Sequence, residues 1–137
     1  MAETVRKVDY FYIETPDKPG EGARVLAALR DAGVNLLGFA GFPRGPKAQI
    51  DFIPEDPVTF KSAAKKAGLK LSAKKTGFLI QGEDRPGAIA DIMGKLAAVN
   101  VNVTASDAVC AGEGRYGAML WVKPADVRKA AKALGAT

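Results

Sequence analysis

The residue types behind most catalytic and metal chemistry are scarce in this sequence, whereas one short turn occurs twice. The chain has no histidine and a single cysteine, Cys110. Zinc sites, iron sites and catalytic triads therefore lack their usual ligands and bases, and we expect no enzyme, no metal and no cofactor. The repeated turn reads DKPG at residues 17–20 and DRPG at residues 84–87, each time between a β-like run and an amphipathic helical pattern. The question is therefore what a turn before a helix does in this protein.

The repetition extends from the turn to nearly the whole chain. When residues 1–70 are laid on residues 68–137 without a gap, matches recur along the full length. Identical or similar pairs include Phe11/Phe78, Ile13/Ile80, Leu29/Leu96, Asn35/Asn102, Ile53/Leu120 and Gly68/Gly135. An ungapped match of this length indicates an internal duplication. We expect two repeats, 1–74 and 75–137, which pack together because each half alone is marginally stable.

Composition indicates an ordinary globular protein, with 47% hydrophobic and 26% charged residues. No apolar run approaches the roughly 20 residues of a membrane span, and the start lacks a signal peptide's hydrophobic segment. A single cysteine suits a reducing compartment, so we expect a cytoplasmic protein without a membrane partner. The net charge of +5 is concentrated in lysines near one helix, which favours a solvated helix face over an anionic partner. These lysines are Lys61, Lys65, Lys66, Lys70, Lys74 and Lys75.

Each repeat shows the order strand, helix, strand, strand, helix. In the first repeat these elements are predicted at 8–14, 20–32, 34–42, 46–53 and 57–68, with a fourth strand at 69–74. Asp56 is the predicted N-cap of the second helix, and Gly33 and Asn100 stand where the first helix of each repeat ends. The order is that of the ferredoxin-like βαββαβ plan, an α+β fold with an antiparallel sheet and both helices on one face.

The second repeat lacks its own fourth strand, because only Ala136 and Thr137 follow its last helix. One interpretation is an exchange in which residues 2–8 supply the missing strand, which would also cover a sheet edge. The alternative is a hairpin turning at residues 74–77 (KKTG), which would join the two halves into one sheet. The sequence leaves both arrangements open.

The two turns, with the helices that end in DAGVNLL and AAVNVNV, resemble the ACT domain, a small regulatory module with the βαββαβ fold. The likeness covers nearly the whole chain twice, and the spacing from Gly20 to Asn35 equals that from Gly87 to Asn102. It implies a stand-alone tandem ACT protein that binds a small molecule, an amino acid in most such domains. Such a protein would act as an allosteric regulator through ligand-dependent assembly, for example as a homodimer, or through partner contacts.

The resemblance also implies where the ligand binds. In ACT domains the site lies where the first turn faces the start of the second strand, commonly at an interface between domains. Carried over by position, the implied ligand-binding residues are Asp17, Pro19, Gly20, Asn35, Leu36, Phe39, Asp84, Pro86, Gly87 and Asn102. A helix N-terminus offers N–H groups to a carboxylate, and an Asp side chain accepts from an ammonium group.

Structural alternatives exist for the same residues. Asp17 and Asp84 could cap the helices, and Asn35 and Asn102 could bond the backbone of the adjacent loop. Phe39 and Phe42 make the first repeat the better candidate for an apolar pocket. Some ACT proteins carry a histidine or another polar side chain two residues before the Asp position. Here that position holds Thr15 in one repeat and Gly82 in the other, which leaves the ligand unidentified.

A single-stranded RNA-binding protein is the alternative function, because RNA-recognition domains share the βαββαβ order and stack bases on strand aromatics. Tyr10 and Tyr12 on the first strand, with Tyr116 and Trp121 near the end of the chain, would be the stacking residues. The aromatic positions of the RNA-recognition motif, however, are occupied by Ala118 and Met119. We therefore expect no nucleic-acid partner.

Overall fold

A computed structural model describes residues 3–137, which over that range form an α+β fold of six strands and four α-helices. The strands are β1 (Thr4–Pro16), β2 (Leu36–Arg44), β3 (Lys47–Pro54), β4 (Lys75–Glu83), β5 (Val103–Gly112) and β6 (Arg115–Val122). The helices are α1 (Glu21–Asp31), α2 (Pro57–Lys66), α3 (Ala88–Ala98) and α4 (Val127–Leu134), the last preceded by a short 3-10 turn. The paired strands described below are antiparallel, and the predicted α+β fold class is confirmed.

The chain divides into two compact units. The first-repeat unit is Asp9–Lys75, and the second-repeat unit combines the chain up to Val8 with Thr76–Thr137. Strand β1 therefore contributes its beginning to one unit and its remainder to the other. Each unit has its own buried apolar core, as expected for a duplicated chain.

The first-repeat unit is built around β3, which pairs with β2 on one side and β1 on the other. Phe11 and Phe52 are direct partners across the strands and are almost fully buried. Both rings contact Phe60 of α2, with centroids 5.4 and 5.3 Å apart. Helix α1 adds Val25 and Leu29 to the same cluster. Alternation along the strands thus directs one row of side chains onto the two helices.

The predicted fourth strand at 69–74 does not form a regular strand. Leu69 and Leu71 pack against the core, and the Ser72 N–H donates to the Tyr12 carbonyl at 2.9 Å. The Tyr12 N–H, however, donates to the Ser72 hydroxyl at 3.0 Å. In a regular strand pair the Tyr12 N–H would donate to a backbone carbonyl. Here it donates to a side-chain oxygen, and the regular hydrogen bonding between the two segments ends.

In the second-repeat unit the strand order is β1, β4, β6, β5. The N-terminal part of β1 lies at the position of a fourth strand, with Val5 in the core beside Phe78 and Ile80. On its other side the Lys7 N–H donates to the Thr137 carbonyl at 2.9 Å, and the Thr137 N–H donates to the Val5 carbonyl at 3.0 Å. Of the segment 2–8 considered for this role, residue 2 lies outside the described residues.

The ungapped alignment of the repeats is wrong by one residue across β3 and β6. Phe11 pairs with Phe52, whereas its counterpart Phe78 pairs with Leu120. Leu120 therefore corresponds to Phe52 and not to Ile53. The second repeat therefore has one residue more than the first, and this residue lies in β5 at the register shift between Cys110 and Gly112. Such a bulge changes which side chains face the core, because the side-chain period of a strand is two.

The predicted helix ends agree with the structure. Gly33 and Asn100 both have positive φ angles, 79° and 59°, just past α1 and α3. Asp56 caps α2, because its carboxylate accepts from the Val58 N–H at 3.0 Å and from the Thr59 hydroxyl at 2.8 Å. These hydrogen bonds, chiefly the one from the Thr59 hydroxyl, lower the pKa of Asp56. Local sequence therefore determined where these helices begin and end.

Candidate functional site

Each unit has one cleft beside its Pro-Gly turn, and the two clefts lie at corresponding positions. The first cleft, about 300 Å³, lies between the β1–α1 turn, the start of α1, the end of β2 and the start of β3. The second cleft, about 370 Å³, lies between the β4–α3 turn, the start of α3, the end of β5 and β6. Either volume accommodates a small molecule. The clefts differ in the side chains that line them.

The two turns leave the following helices without a side-chain cap. Gly20 and Gly87 occupy the N-cap positions with φ angles of 91° and 81°, and in neither helix does a side chain bond the first-turn N–H groups. A residue with a Cβ would be strained in this left-handed conformation, which explains the glycine in both copies. The interpretation of Asp17 and Asp84 as helix caps is therefore wrong. The Glu21 and Ala88 N–H groups donate to the Lys18 and Arg85 carbonyls of the turns, whereas the next first-turn N–H groups of α1 and α3 stay available to another acceptor.

The first cleft contains polar groups with few partners. The Thr15 side chain is only 5% exposed, and its one hydrogen bond within residues 3–137 is to the Pro16 carbonyl at 3.3 Å. Asp17 and Lys18 are exposed and make no side-chain hydrogen bond or ion pair with any described residue. The Glu21 carboxylate accepts from Arg24 at 3.2 Å. That hydrogen bond lowers the pKa of Glu21, so its carboxylate is charged at neutral pH.

The rim of the first cleft is aromatic. Phe39 and Phe42 remain 42% and 43% exposed, which is unusual for rings of this size. Phe39 is held edge-to-face on the buried Phe52 at 6.1 Å between centroids. At the wall of the cleft, Gln49 accepts from Arg44 at 2.6 Å and donates to Asp51 at 2.9 Å. The amide of Gln49 is thus already engaged on both sides.

In the second cleft the polar groups are paired with one another. Asp84 and Cys110 both line this cleft, and the neighbouring Asp84 carboxylate raises the pKa of the Cys110 thiol. Arg85 donates to Asp91 at 2.6 Å. These contacts occupy side chains that would otherwise meet a ligand.

Tyr116 forms part of the wall of the second cleft and is 5% exposed. Its hydroxyl donates to the Glu3 carboxylate. Burial, followed by this hydrogen bond and the charge of Glu3, raises the pKa of Tyr116 to about 12. The ring lies directly over Gly82, where a Cβ would be 2.5 Å from a ring carbon. Gly82 is therefore the residue that makes room for Tyr116.

No protein-family model and none of the curated proteins matches the chain by sequence. Solved structures do match. Protein BT0572 from Bacteroides thetaiotaomicron is 20% identical, with 97% of this chain and 88% of that chain covered, at a TM-score of 0.77. The ligand-free regulatory subunit of aspartate kinase from Thermus thermophilus is 19% identical, with coverages of 98% and 93% and a TM-score of 0.65. The corresponding subunit from Thermus flavus is 18% identical, with coverages of 98% and 94% and a TM-score of 0.60.

The fold is ACT-like. At identities of 20% or less, the likeness shows the fold alone. The match covers almost the full length of this chain and therefore includes both units. The resemblance noted from the two turns is thereby supported at the level of architecture.

The structure brings only some of the implied site residues into the clefts. Asp17 and Phe39 line the first cleft, and Asp84 and Gly87 line the second. Pro19, Gly20 and Pro86 lie in the turns and shape them without lining either cleft.

Asn35, Leu36 and Asn102 lie at the other end of their units. Leu36 pairs with Pro54, whereas the turn end of β1 pairs with Lys47. The eight residues of β3 separate these ends by roughly 24 Å, at about 3.4 Å per residue. The Asn35 amide donates to the side-chain carboxylate of Glu55 at 3.0 Å, and not to the loop backbone considered as its structural role. Helix α1 runs back along the sheet, so the start of β2 cannot meet the turn of its own unit.

Several cleft residues were missed as site residues from the sequence. They are Lys18, Glu21, Arg85, Cys110 and Tyr116, whereas Thr15 and Gly82 were noted only as departures from the ACT pattern. Lys18 and Arg85 stand inside the repeated turn and could have been included on that signal. Tyr116 gave no signal, because the ungapped alignment placed it opposite Gln49 and not opposite Ala48.

The arrangement proposed for RNA stacking is not formed in the ACT-like second repeat. Tyr116 belongs to the helix-facing core, and Trp121, five residues later, points to the opposite sheet face.

Among residues 3–137 there is no group of three or more metal-ligating side chains. No helix in that range has the length and apolarity needed to cross a membrane.

Proposed function

We propose that this chain is a non-catalytic regulatory module that binds a free amino acid beside its Pro-Gly turns. The observation that carries the proposal is the paired clefts, each beside a helix start without a side-chain cap and each lined by the Asp of the turn. An uncapped helix start suits a carboxylate, and an Asp suits an ammonium group. The ACT-like fold, which the regulatory subunits of aspartate kinase share, supports the same role.

The clefts are adequate for a ligand of this size. An amino acid has about ten heavy atoms, and micromolar affinity requires about −8 kcal/mol. That is about −0.8 kcal/mol per atom, below the ceiling of about −1.5 for very small ligands. A cleft of about 300 Å³ with charged groups and exposed rings offers both kinds of contact that such a ligand needs.

A homodimer is part of the proposal. Asn35 and Asn102 lie at the far end of their units from the turns, so neither can contact a ligand at the turn of its own unit. We propose that a second copy places its strand start against the turn. Signalling through assembly then requires that the ligand bind the dimer and the monomer with different affinity. Light scattering with and without the bound amino acid measures this change directly.

The test of ligand binding is a thermal-shift screen of the purified protein against the twenty amino acids. A ligand present at 100 times its dissociation constant should add about 2.7 kcal/mol of stability, which raises Tm by several degrees. Asp17→Ala should weaken binding tenfold or more, because a charge-assisted hydrogen bond is lost. Asp31→Ala, at the other end of α1 and outside the cleft, is the matched control.

The contrary outcome is equally definite. A panel in which no amino acid raises Tm, together with salt-sensitive retention on single-stranded RNA, would replace this proposal with the RNA-binding alternative. An amino acid that binds equally well to the Asp17→Ala variant would place the site elsewhere.

A further inference from the structure

We infer that the first-repeat cleft alone is the ligand site, and that it takes a zwitterionic amino acid with an uncharged apolar side chain. The second-repeat cleft is then a structural counterpart whose polar groups satisfy one another. This inference rests on the proposed function, because it assumes that an amino acid binds beside one of the turns. It adds which turn and which class of amino acid.

Hydrogen-bond acceptors distinguish the two clefts. Besides the engaged Gln49, the first cleft has acceptor side chains at Thr15, Asp17 and Glu21. The Glu21 carboxylate also accepts from Arg24, which leaves lone pairs on its oxygens for a further donor. The corresponding positions of the second repeat are Gly82, Asp84 and Ala88, so two acceptors are missing. The third, Asp84, lines the second cleft together with the Cys110 thiol. An ammonium group with three N–H donors thus finds a set of acceptors only in the first cleft.

The Thr15 hydroxyl is the most telling of these acceptors. Thr15 is only 5% exposed. Within the described residues, its hydroxyl makes one hydrogen bond, at 3.3 Å to the Pro16 carbonyl. In that contact the hydroxyl donates, so its lone pairs are not used. A buried polar atom is costly unless it is paired, and a ligand N–H would pair it.

The cations of the two turns differ in the same way. Lys18 lines the first cleft and makes no ion pair with any residue between 3 and 137. Its counterpart Arg85 is held by Asp91 at 2.6 Å. Lys18 and the uncapped first turn of α1 can therefore both meet a ligand carboxylate. The first cleft offers groups of both signs, as a zwitterion requires.

The rim indicates the kind of ligand side chain. Two exposed aromatic rings, Phe39 and Phe42, line the first cleft. The corresponding residues of the second repeat are Ser106 and Val109, of which only the smaller, non-aromatic Val109 is an exposed hydrophobic residue on the second cleft. Two half-exposed rings beside one small cleft form an apolar surface, and covering it with a ligand removes apolar area from water, which favours binding. An apolar side chain covers them without an unpaired charge. A charged ligand side chain would have to lose its hydration against the rings.

The experiment is an NMR titration of the uniformly ¹⁵N-labelled protein with four probes of matched size. L-leucine and L-phenylalanine should shift the amides of Gly22 and Gly41 in the first cleft and leave Ala88 and Ala108 in the second cleft unchanged. L-aspartate, with a charged side chain, should bind at least tenfold more weakly. 3-Phenylpropionate, which keeps the ring and carboxylate but lacks the ammonium group, should also bind at least tenfold more weakly.

Two variants test the acceptors. Thr15→Val keeps the shape and removes the hydroxyl, and Glu21→Gln keeps the shape and removes the charge. Each should weaken L-phenylalanine binding about tenfold, with no change in Glu14→Gln, which lies on the same strand outside the cleft. Should Thr15→Val fold poorly, Glu21→Gln on the partly exposed first turn still gives the answer.

The outcomes separate the inference from the proposed function. Shifts at Ala88 and Ala108, or equal affinity for L-aspartate, would overturn the inference while amino-acid binding stands. Unchanged affinity in both Thr15→Val and Glu21→Gln would do the same. If none of the four probes, nor any amino acid in the thermal screen, binds anywhere, the proposed function is wrong and the inference fails with it.

Discussion

The two units share one chain plan and one turn, but they use the turn differently. In the first-repeat unit, Thr15, Asp17 and Lys18 face a cleft with few or no partners. In the second, the cation of the turn, Arg85, is bonded to Asp91, and the Asp of the turn, Asp84, lines the cleft together with Cys110. A duplicated motif therefore preserves the backbone, because the turn and the helix start depend on it. It does not preserve the availability of the side chains.

A second difference between the two units originates in one residue. The bulge between Cys110 and Gly112 moves β6 by one position relative to β3. As a result Tyr116 stands opposite Gly82, where the first repeat has Ala48 opposite Thr15. The large ring therefore faces the smallest residue, and the two medium residues face each other. Each repeat fills the same place with a different but compatible pair.

The largest expected effect tests this one-residue shift. Leu120→Ala should lower the free energy of unfolding by about 3 kcal/mol, because Leu120 is a fully buried core residue and its loss leaves a cavity. Met119→Ala, on the neighbouring and only half-buried position, should cost less than half as much. Urea denaturation measures both values. If Met119→Ala lowered the free energy of unfolding more than Leu120→Ala does, the ungapped alignment of the repeats would be correct after all.

A smaller effect tests the exchange of paired residues. Gly82→Thr introduces the side chain of the first repeat, and it should destabilise by about 2 kcal/mol, because its Cβ would be 2.5 Å from the Tyr116 ring and 2.8 Å from Glu3. The double variant Gly82→Thr/Tyr116→Ala recreates the Thr15/Ala48 pair. We expect it to be more stable than the sum of its single changes predicts. Strict additivity in the double-mutant cycle would refute the pairing.

The smallest effect concerns the Tyr116 hydroxyl. Tyr116→Phe should cost about 1.5 kcal/mol at neutral pH, because the hydrogen bond to the Glu3 carboxylate is lost. In the folded protein the pKa of the Tyr116 phenol is about 12, whereas the ordinary value for tyrosine is 10.0. This stabilisation is therefore complete below pH 10 and is lost as the pH rises from 10 to 12.

Denaturation of both proteins across that pH range isolates the contribution of Tyr116. The stability difference between the natural protein and Tyr116→Phe should shrink as the pH rises through this window. A difference that stays constant from pH 9 to pH 12 would show that the phenol does not titrate as the geometry requires. Because the first repeat has Ala48 at this place, no such titration is expected from its cleft.

The site was predictable only in part, for reasons that particular residues show. Asp17 and Asp84 lie in their clefts because the turn itself positions them. Asn35 and Asn102 were grouped with them by resemblance, yet a whole strand length separates each from its turn. Glu3 could not be foreseen at all, because it reaches Tyr116 from the opposite end of the chain.

The sequence by itself determined what depends on neighbouring residues. The duplication, the order of strands and helices, the left-handed residues Gly33 and Asn100 and the Asp56 cap all follow from local patterns, because turns, caps and periodicity involve contacts a few residues apart. The tertiary structure decided the position of the first strand, the face on which Tyr116 lies and which cleft groups are paired. Each of these depends on contacts between distant residues, and a single extra residue in β5 is enough to change the face on which Tyr116 lies.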